Sequence, residues 1–238
     1  NRNLQNNRQI QMHIWYPAQI AESDTLVTYK KYIVESAVNT TGGKPNIEDI
    51  EETLSRYREH LLSRDIDSNL IENFLETDTK AYWHTQFVQK KFPIIIYAPS
   101  INSNPYENIV LIEYLVSNGY VVVSGPSIGN GSLEVTRDVS GAEAQVHDLE
   151  FLLRESWALP FVDNTHILSI GYSWGGMTNI LLALQNSNIE GVVSLDVAMG
   201  FEEYYEIGRS FSCFNPNNMA ESYLSFVPSS ENRTRLFF

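Results

Sequence analysis

Cysteine is almost missing: Cys213 stands alone in 238 residues, so no disulfide can form within the chain and thiols say nothing about the redox compartment. Positive charge is scarce too, with 16 Lys and Arg against 29 Asp and Glu and a net charge of −13. That balance argues against a nucleic-acid or anionic-membrane partner, since both need a basic patch. Long apolar runs are absent. The longest, residues 94–98, falls far below the roughly 20 residues that span a bilayer. There is no HExxH, no paired Cys/His spacing and no phosphate-cradling glycine loop, so neither a metal nor an organic cofactor is implied. The chain opens at Asn1 with no methionine and no signal-like apolar region, which predicts that any targeting segment has been removed. The compartment stays open, with a soluble, secreted or periplasmic location slightly favoured; two Asn-x-Thr sequons, at Asn39 and Asn232, are too common a pattern to decide it. Histidine runs out early. The five are His13, His60, His84, His147 and His166, and none follows.

What is present is enough apolar residue for one substantial core: 43% of the chain is hydrophobic, which predicts one domain over residues 1–238 rather than two. RQIQMHIWYP (8–17) reads as a strand closed by Pro17, and NTTGGKPN (39–46) as a loop. Ile47, Ile50, Leu54, Tyr57, Leu61 and Leu62 then recur at helical spacing, and SNLIENFLE (68–76) gives a second, short helix. The pair predicts an acidic helical insertion at about 39–84, placed before the third core strand, with its charges on a solvated face.

From Phe92 the pattern becomes regular. FPIIIYA (92–98) is an all-apolar strand, YENIVLIEYLVSNG a helix stopped by Gly119, and YVVVSG a strand. GAEAQVHDLEFLLRES is a helix, HILSIGYS a strand, WGGMTNILLALQNS a helix and IEGVVSLD a strand. A further helix is expected within 217–224, and RTRLFF begins another strand. Strands alternating with helices predict an α/β fold, with a mostly parallel sheet covered on both faces.

Reactive groups in such sheets gather where the strands end at their carboxyl edge. Ser173 falls there, in Gly171-Tyr172-Ser173-Trp174-Gly175, between a buried strand and a helix. A nucleophile on so tight a turn takes a strained backbone, and side chains at 171 and 175 would collide with their neighbours. The Trp174 amide, at the helix N-terminus, would face a developing oxyanion. Alone, Gly-x-Ser-x-Gly is a weak signal; its placement between strand and helix gives it weight. The alternative is a tight turn whose serine merely caps the helix. IGNGS (128–132) is glycine-rich but follows a different strand, and reads as a flexible loop near the site mouth. Aromatics in GFEEYYEIGRSFSCF (200–214) could line an acyl pocket, though core is the favoured reading.

WYPA, KKFPIIIYAPS, SNGYVVVSGPS, AEAQVHDLEFLL, ILSIGYSWGG and IEGVVSLDVAMGF, in that order and spacing, resemble the α/β-hydrolases, specifically the platelet-activating-factor acetylhydrolase and dienelactone-hydrolase-like esterases. The resemblance runs from about residue 8 onward. It implies a serine hydrolase acting on a small carboxylic ester through an acyl-enzyme, with Ser173 as nucleophile. It also implies that Asp196, 23 residues after Ser173 and at the end of the following strand, is the triad acid. In many α/β-hydrolases the acid comes one strand later, and a strand-end aspartate that caps a turn is the alternative. The second oxyanion donor would be the Ile101 amide. The family usually carries His-Gly where this chain reads Pro99-Ser100.

A serine nucleophile needs a general base. His166 begins the strand that ends at Ser173 and so belongs at the opposite edge; His147 is mid-helix, and His13 is remote by topology. His60 and His84 fall in the insertion and the segment after it. The resembling family supplies its histidine from a later loop, so the expectation is a core that lacks its C-terminal part, with the triad histidine outside this chain. Two other readings remain: a hydrolase-fold protein that binds a ligand without turnover, and a peptidase or amidase on the same fold. Oligomeric state is not legible.

Overall fold

The computed structural model describes residues 9–41, 44–83, 85–196 and 235–237. The chain divides into two compact units, one of residues 18–88 and one formed by what precedes and follows them. Strand β1 (His13–Trp15) belongs to the larger unit.

The smaller unit holds β2 (Ala18–Gln19), β3 (Leu26–Thr28), α1 (Tyr29–Glu35), α2 (Ala37–Thr41), α3 (Ile47–Leu62), α4 (Ser68–Leu75), β4 (Asp78–Tyr82) and β5 (Gln86–Phe87). Asn46 and Asp49 form a reciprocal cap at the start of α3, each side chain accepting the other's amide, which satisfies two otherwise orphaned donors. Asp67 caps α4 in the same spirit, accepting from the Asn69 and Leu70 amides. Ile71 and Leu75 of α4 are almost wholly buried with Tyr32, Ile33 and Leu54, a small core of its own. β2 pairs antiparallel with β5, and β3 with β4.

The larger unit continues with β6 (Phe92–Ala98), α5 (Ile109–Ser117) after a 3-10 turn at Pro105–Asn108, β7 (Val121–Ser124), α6 (Val139–Ser156), β8 (Val162–Tyr172), α7 (Trp174–Gln185), β9 (Ile189–Leu195) and β10 (Arg235–Phe237). These strands form one sheet in the order β1-β7-β6-β8-β9-β10. Only β1 runs antiparallel; every other neighbouring pair is parallel. The β6-to-β7 and β7-to-β8 connections step across the sheet in opposite directions. Right-handed crossovers therefore put α5 on one face and α6 on the other, with α7 beside α6.

Each element follows from its residues. Covered on both faces, β6 exposes no more than 1% of any residue from Ile94 to Ala98, which is why it is apolar throughout. Asp138 caps α6 by accepting from the Gly141 amide at 2.9 Å. Gly119, at φ 89°, ends α5 in the left-handed conformation expected of it. β8 starts four residues before the expected His166, because Phe92 and Pro93 pair with Val162 and Asp163 before the register shifts to Ile94 against Ile167. The first strand is shorter than the sequence pattern suggests, three residues of the ten. The helix expected within 217–224, the aromatic segment 200–214 and Cys213 lie outside the described residues.

His13 sits opposite Ser124, the last residue of β7, so it stands at the carboxyl edge of the sheet rather than at a remote end. The reason is direction: β1 is antiparallel, and its first residue meets the end of its neighbour. The ring stacks on Trp15 and meets Tyr106 edge-on. Its Nε2 is buried and, among the described residues, has no hydrogen-bond partner; burial pushes the imidazole down to about 4. The unfolded chain takes up this proton below about pH 6.5 and the folded protein only near pH 4. Stability supplied by the neutral ring is therefore complete above that window and lost as pH falls through it, by about 3 kcal/mol. His13→Phe, which keeps the ring stack, should flatten this acid limb in urea-unfolding curves taken between pH 7 and 4.

Candidate active site

Ser173 lies between β8 and α7 with φ 54° and ψ −116°, a conformation that side-chain-bearing residues rarely adopt. Two bonds hold it there. Its amide donates to the Leu195 carbonyl at 2.8 Å, and its carbonyl accepts from the Gly176 amide at 2.9 Å. Its hydroxyl makes no cap bond to α7, so the serine is not there to terminate the helix. The residue is half-buried.

The flanking glycines are required by contact. A Cβ on Gly171 would stand 2.1 Å from the Gly175 carbonyl oxygen, and one on Gly175 would stand 2.0 Å from the Ala98 oxygen and 2.5 Å from that of Pro99. All of these are backbone atoms that cannot swing aside. Gly175→Ala should therefore destabilise the protein by about 3 kcal/mol or more, read as a fall in the urea midpoint at unchanged slope.

Asp196 directly follows β9. Tyr172 and Leu195 are the last paired residues of their strands, and each is succeeded by one of the two candidates, Ser173 and Asp196. Both therefore step off the same edge side by side, with the Ser173–Leu195 hydrogen bond between them. Asp196 is exposed and also has a positive φ, 48°.

The loop after β6 is the third component. Ala98 pairs with Gly171, so the loop leaves the sheet beside the elbow. The Pro99 carbonyl accepts from Gln145 Nε2 of α6 at 2.9 Å, and Gln145 Oε1 accepts from the Thr178 hydroxyl of α7 at the same distance. Ser100 donates its amide to Glu107 Oε1 at 2.7 Å and its hydroxyl to Glu107 Oε2. Tyr97 donates its phenol to the same carboxylate at 3.0 Å and accepts from Asn108 Nδ2. Burial, then the charge of Glu107, raise the Tyr97 phenol far above its ordinary range, so it remains a neutral donor. The Ser103 amide bonds back to the Ser100 carbonyl at 3.1 Å, closing a turn whose third position, Asn102, has φ 56°. Asn102 Oδ1 accepts from the Val135 amide at 2.6 Å and Ser103 accepts from the Ser127 amide at 2.9 Å, which ties the glycine-rich segment around 128–132 to this loop.

The structure thus brings Ser173, Trp174, Asp196 and Ile101 to one edge of three adjacent strands. It does not bring a described histidine of the same unit to them. His13 is on that edge but three strands from β8. His147 is exposed midway along α6, and His166 is exposed about midway along β8, with Nδ1 3.3 Å from Glu190. His60 is exposed in the last turn of α3, in the smaller unit. His84 lies outside the described residues. Among the described residues no group of His, Cys, Asp and Glu is placed to hold a metal ion, and no helix is long and apolar enough to cross a membrane.

Three residues of this region carried no functional weight in the sequence. Gln145 left a trace: it interrupts the apolar series Ala142, Leu149, Leu152 on the buried face of α6. Glu107 and Tyr97 left none, because one reads as an acid in the first turn of a helix and the other as a core aromatic.

This edge-on arrangement of a parallel sheet, a strained strand-to-helix corner and flanking helices is the α/β-hydrolase fold. Among solved structures, the chain is similar to the ferulic acid esterase of Streptomyces cinnamoneus, with a TM-score of 0.55 and 14% identity over 79% of this chain and 52% of that one. It is similar as well to a protein described as a dienelactone hydrolase from Klebsiella pneumoniae, TM-score 0.46, 14% identity, 64% and 75% of the two chains. The acetyl xylan esterase 1 of a Thermoanaerobacterium species gives a TM-score of 0.36 at 20% identity over 58% and 53%. The fold comparison rests on the first. The chain spans about half the length of that esterase. No family model matches the sequence, and no curated protein does.

Proposed function

We propose that the protein is a serine hydrolase of small carboxylic esters. The observation that carries the reading is the Ser173 backbone, held at φ 54° beside Asp196 by the hydrogen bond to Leu195. Strain of this kind costs about 1–3 kcal/mol and persists only where the surroundings impose it, as they do at functional sites.

In this mechanism Ser173 Oγ attacks the acyl carbon while a base removes its proton. The carbonyl π bond opens, and its electron pair becomes an oxyanion received by the amides of Trp174 and Ile101. Trp174 opens α7, so its amide lies at the positive end of the helix dipole. The base is a histidine oriented by Asp196, and none of the described histidines of the larger unit stands beside Ser173 to fill that role. Collapse expels the alcohol, which leaves with the proton, and water then releases the acid from the acyl-enzyme.

A labelled fluorophosphonate tests this on the full-length protein. Covalent label on Ser173, mapped by mass spectrometry, is the expected result. A folded full-length protein that takes no label is instead a hydrolase-fold binding protein, a reading favoured by the want of a described histidine beside Ser173. Comparing p-nitrophenyl esters with aminoacyl amides separates esterase from amidase.

A further inference from the structure

We propose that Glu107 is the positioning residue of the oxyanion loop: its carboxylate gathers Tyr97 and Ser100 and thereby aims the Ile101 amide at the site. The inference deepens the hydrolase reading and rests on it.

In a trans peptide the C=O and N–H of one unit point in opposite directions, so holding both fixes the plane. The Pro99–Ser100 unit is held in this way. Its carbonyl is bound by Gln145 from α6, and its amide by Glu107 from the turn that leads into α5. The crossovers put those two helices on opposite faces of the sheet. The carbonyl of the following unit is bound by the Ser103 amide, so the Ile101 N–H must point the other way. Among the described residues that N–H has no acceptor.

Glu107 does more than accept one amide. Both of its oxygens are used, by three donors: the Ser100 amide, the Ser100 hydroxyl and the Tyr97 phenol. A carboxylate is acceptor-only, and hydrogen bonds to it are about twice as strong as neutral ones. Taking up the Ser100 amide also removes it as a competing donor, leaving the next residue to face the substrate. Glycine is not needed at 100 because no freedom is wanted there; the side chain of Ser100 is itself one of the tethers.

Glu107 touches no reacting atom, so its removal should be felt through the loop. In full-length Glu107→Ala, kcat for p-nitrophenyl acetate should fall about 100-fold, with KM changing less than about threefold. Affinity for a trifluoromethyl ketone, which forms a tetrahedral adduct, should fall in step with kcat. Glu107→Gln, nearly the same shape and still an acceptor at one oxygen, should recover part of both and guards against misfolding. Hydrogen exchange at the Ser100 amide should quicken at least tenfold while Ile94–Ile96 stay protected. A kcat per titrated site within twofold of the unaltered protein, or unchanged exchange at Ser100, overturns the proposal. Ser173→Ala in the same assay separates the two failures. If that variant still turns over ester, the reading of Ser173 as nucleophile falls, and the exchange measurement alone decides whether Glu107 holds the loop.

Discussion

Ser173→Ala, in the full-length protein, is expected to lower kcat for ester hydrolysis by about 10⁶ and to abolish fluorophosphonate labelling, with the circular dichroism spectrum unchanged. The size follows from the role: without Oγ no acyl-enzyme forms, and only the rate enhancement from binding and the oxyanion donors remains. A companion variant gives a signature that mere loss of a surface hydroxyl would not. Glycine adopts φ 54° freely, so Ser173→Gly should be as inactive as alanine and yet about 1 kcal/mol more stable in urea. Inactivity coupled to a gain in stability is what a site strained for function produces. Unimpaired turnover in Ser173→Ala would move the chemistry away from this corner.

Asp196→Asn is the second large effect, a fall in kcat of about 10⁴ with little change in KM. Asparagine keeps the shape of the side chain but cannot stabilise an imidazolium or select the tautomer that accepts the serine proton. Because Asp196 is exposed and β9 ends before it, the substitution should leave unfolding midpoints in place. Steady-state kinetics beside urea melts decide the matter. A rate within tenfold of the unaltered protein would take the role of triad acid away from Asp196.

Most of the sheet was legible because burial on both faces leaves no alternative to an all-apolar strand such as Ile94–Ala98. The corner was legible for a related reason: two glycines spaced around a serine answer to contacts of about 2 Å that no other residue survives. Legibility failed where the determining contact is distant in sequence. His13 reads as remote until β1 is seen to run against β7, and nothing in its own residues encodes that direction. Glu107 reads as an ordinary first-turn acid, since its partners lie ten and seven residues earlier on another element. The two-residue strands β2 and β5 were invisible because so short a stretch has no period to detect.

Those two strands have a consequence of their own. Ala18 lies across from Phe87 and Gln19 from Gln86, so residues 18–88 depart and return about one strand spacing apart, near 4.8 Å. A segment whose two ends pair with each other is closed on itself. The separation of its ends is set by that pair alone, so changes of length between β3 and β4 need not alter where the segment begins and finishes.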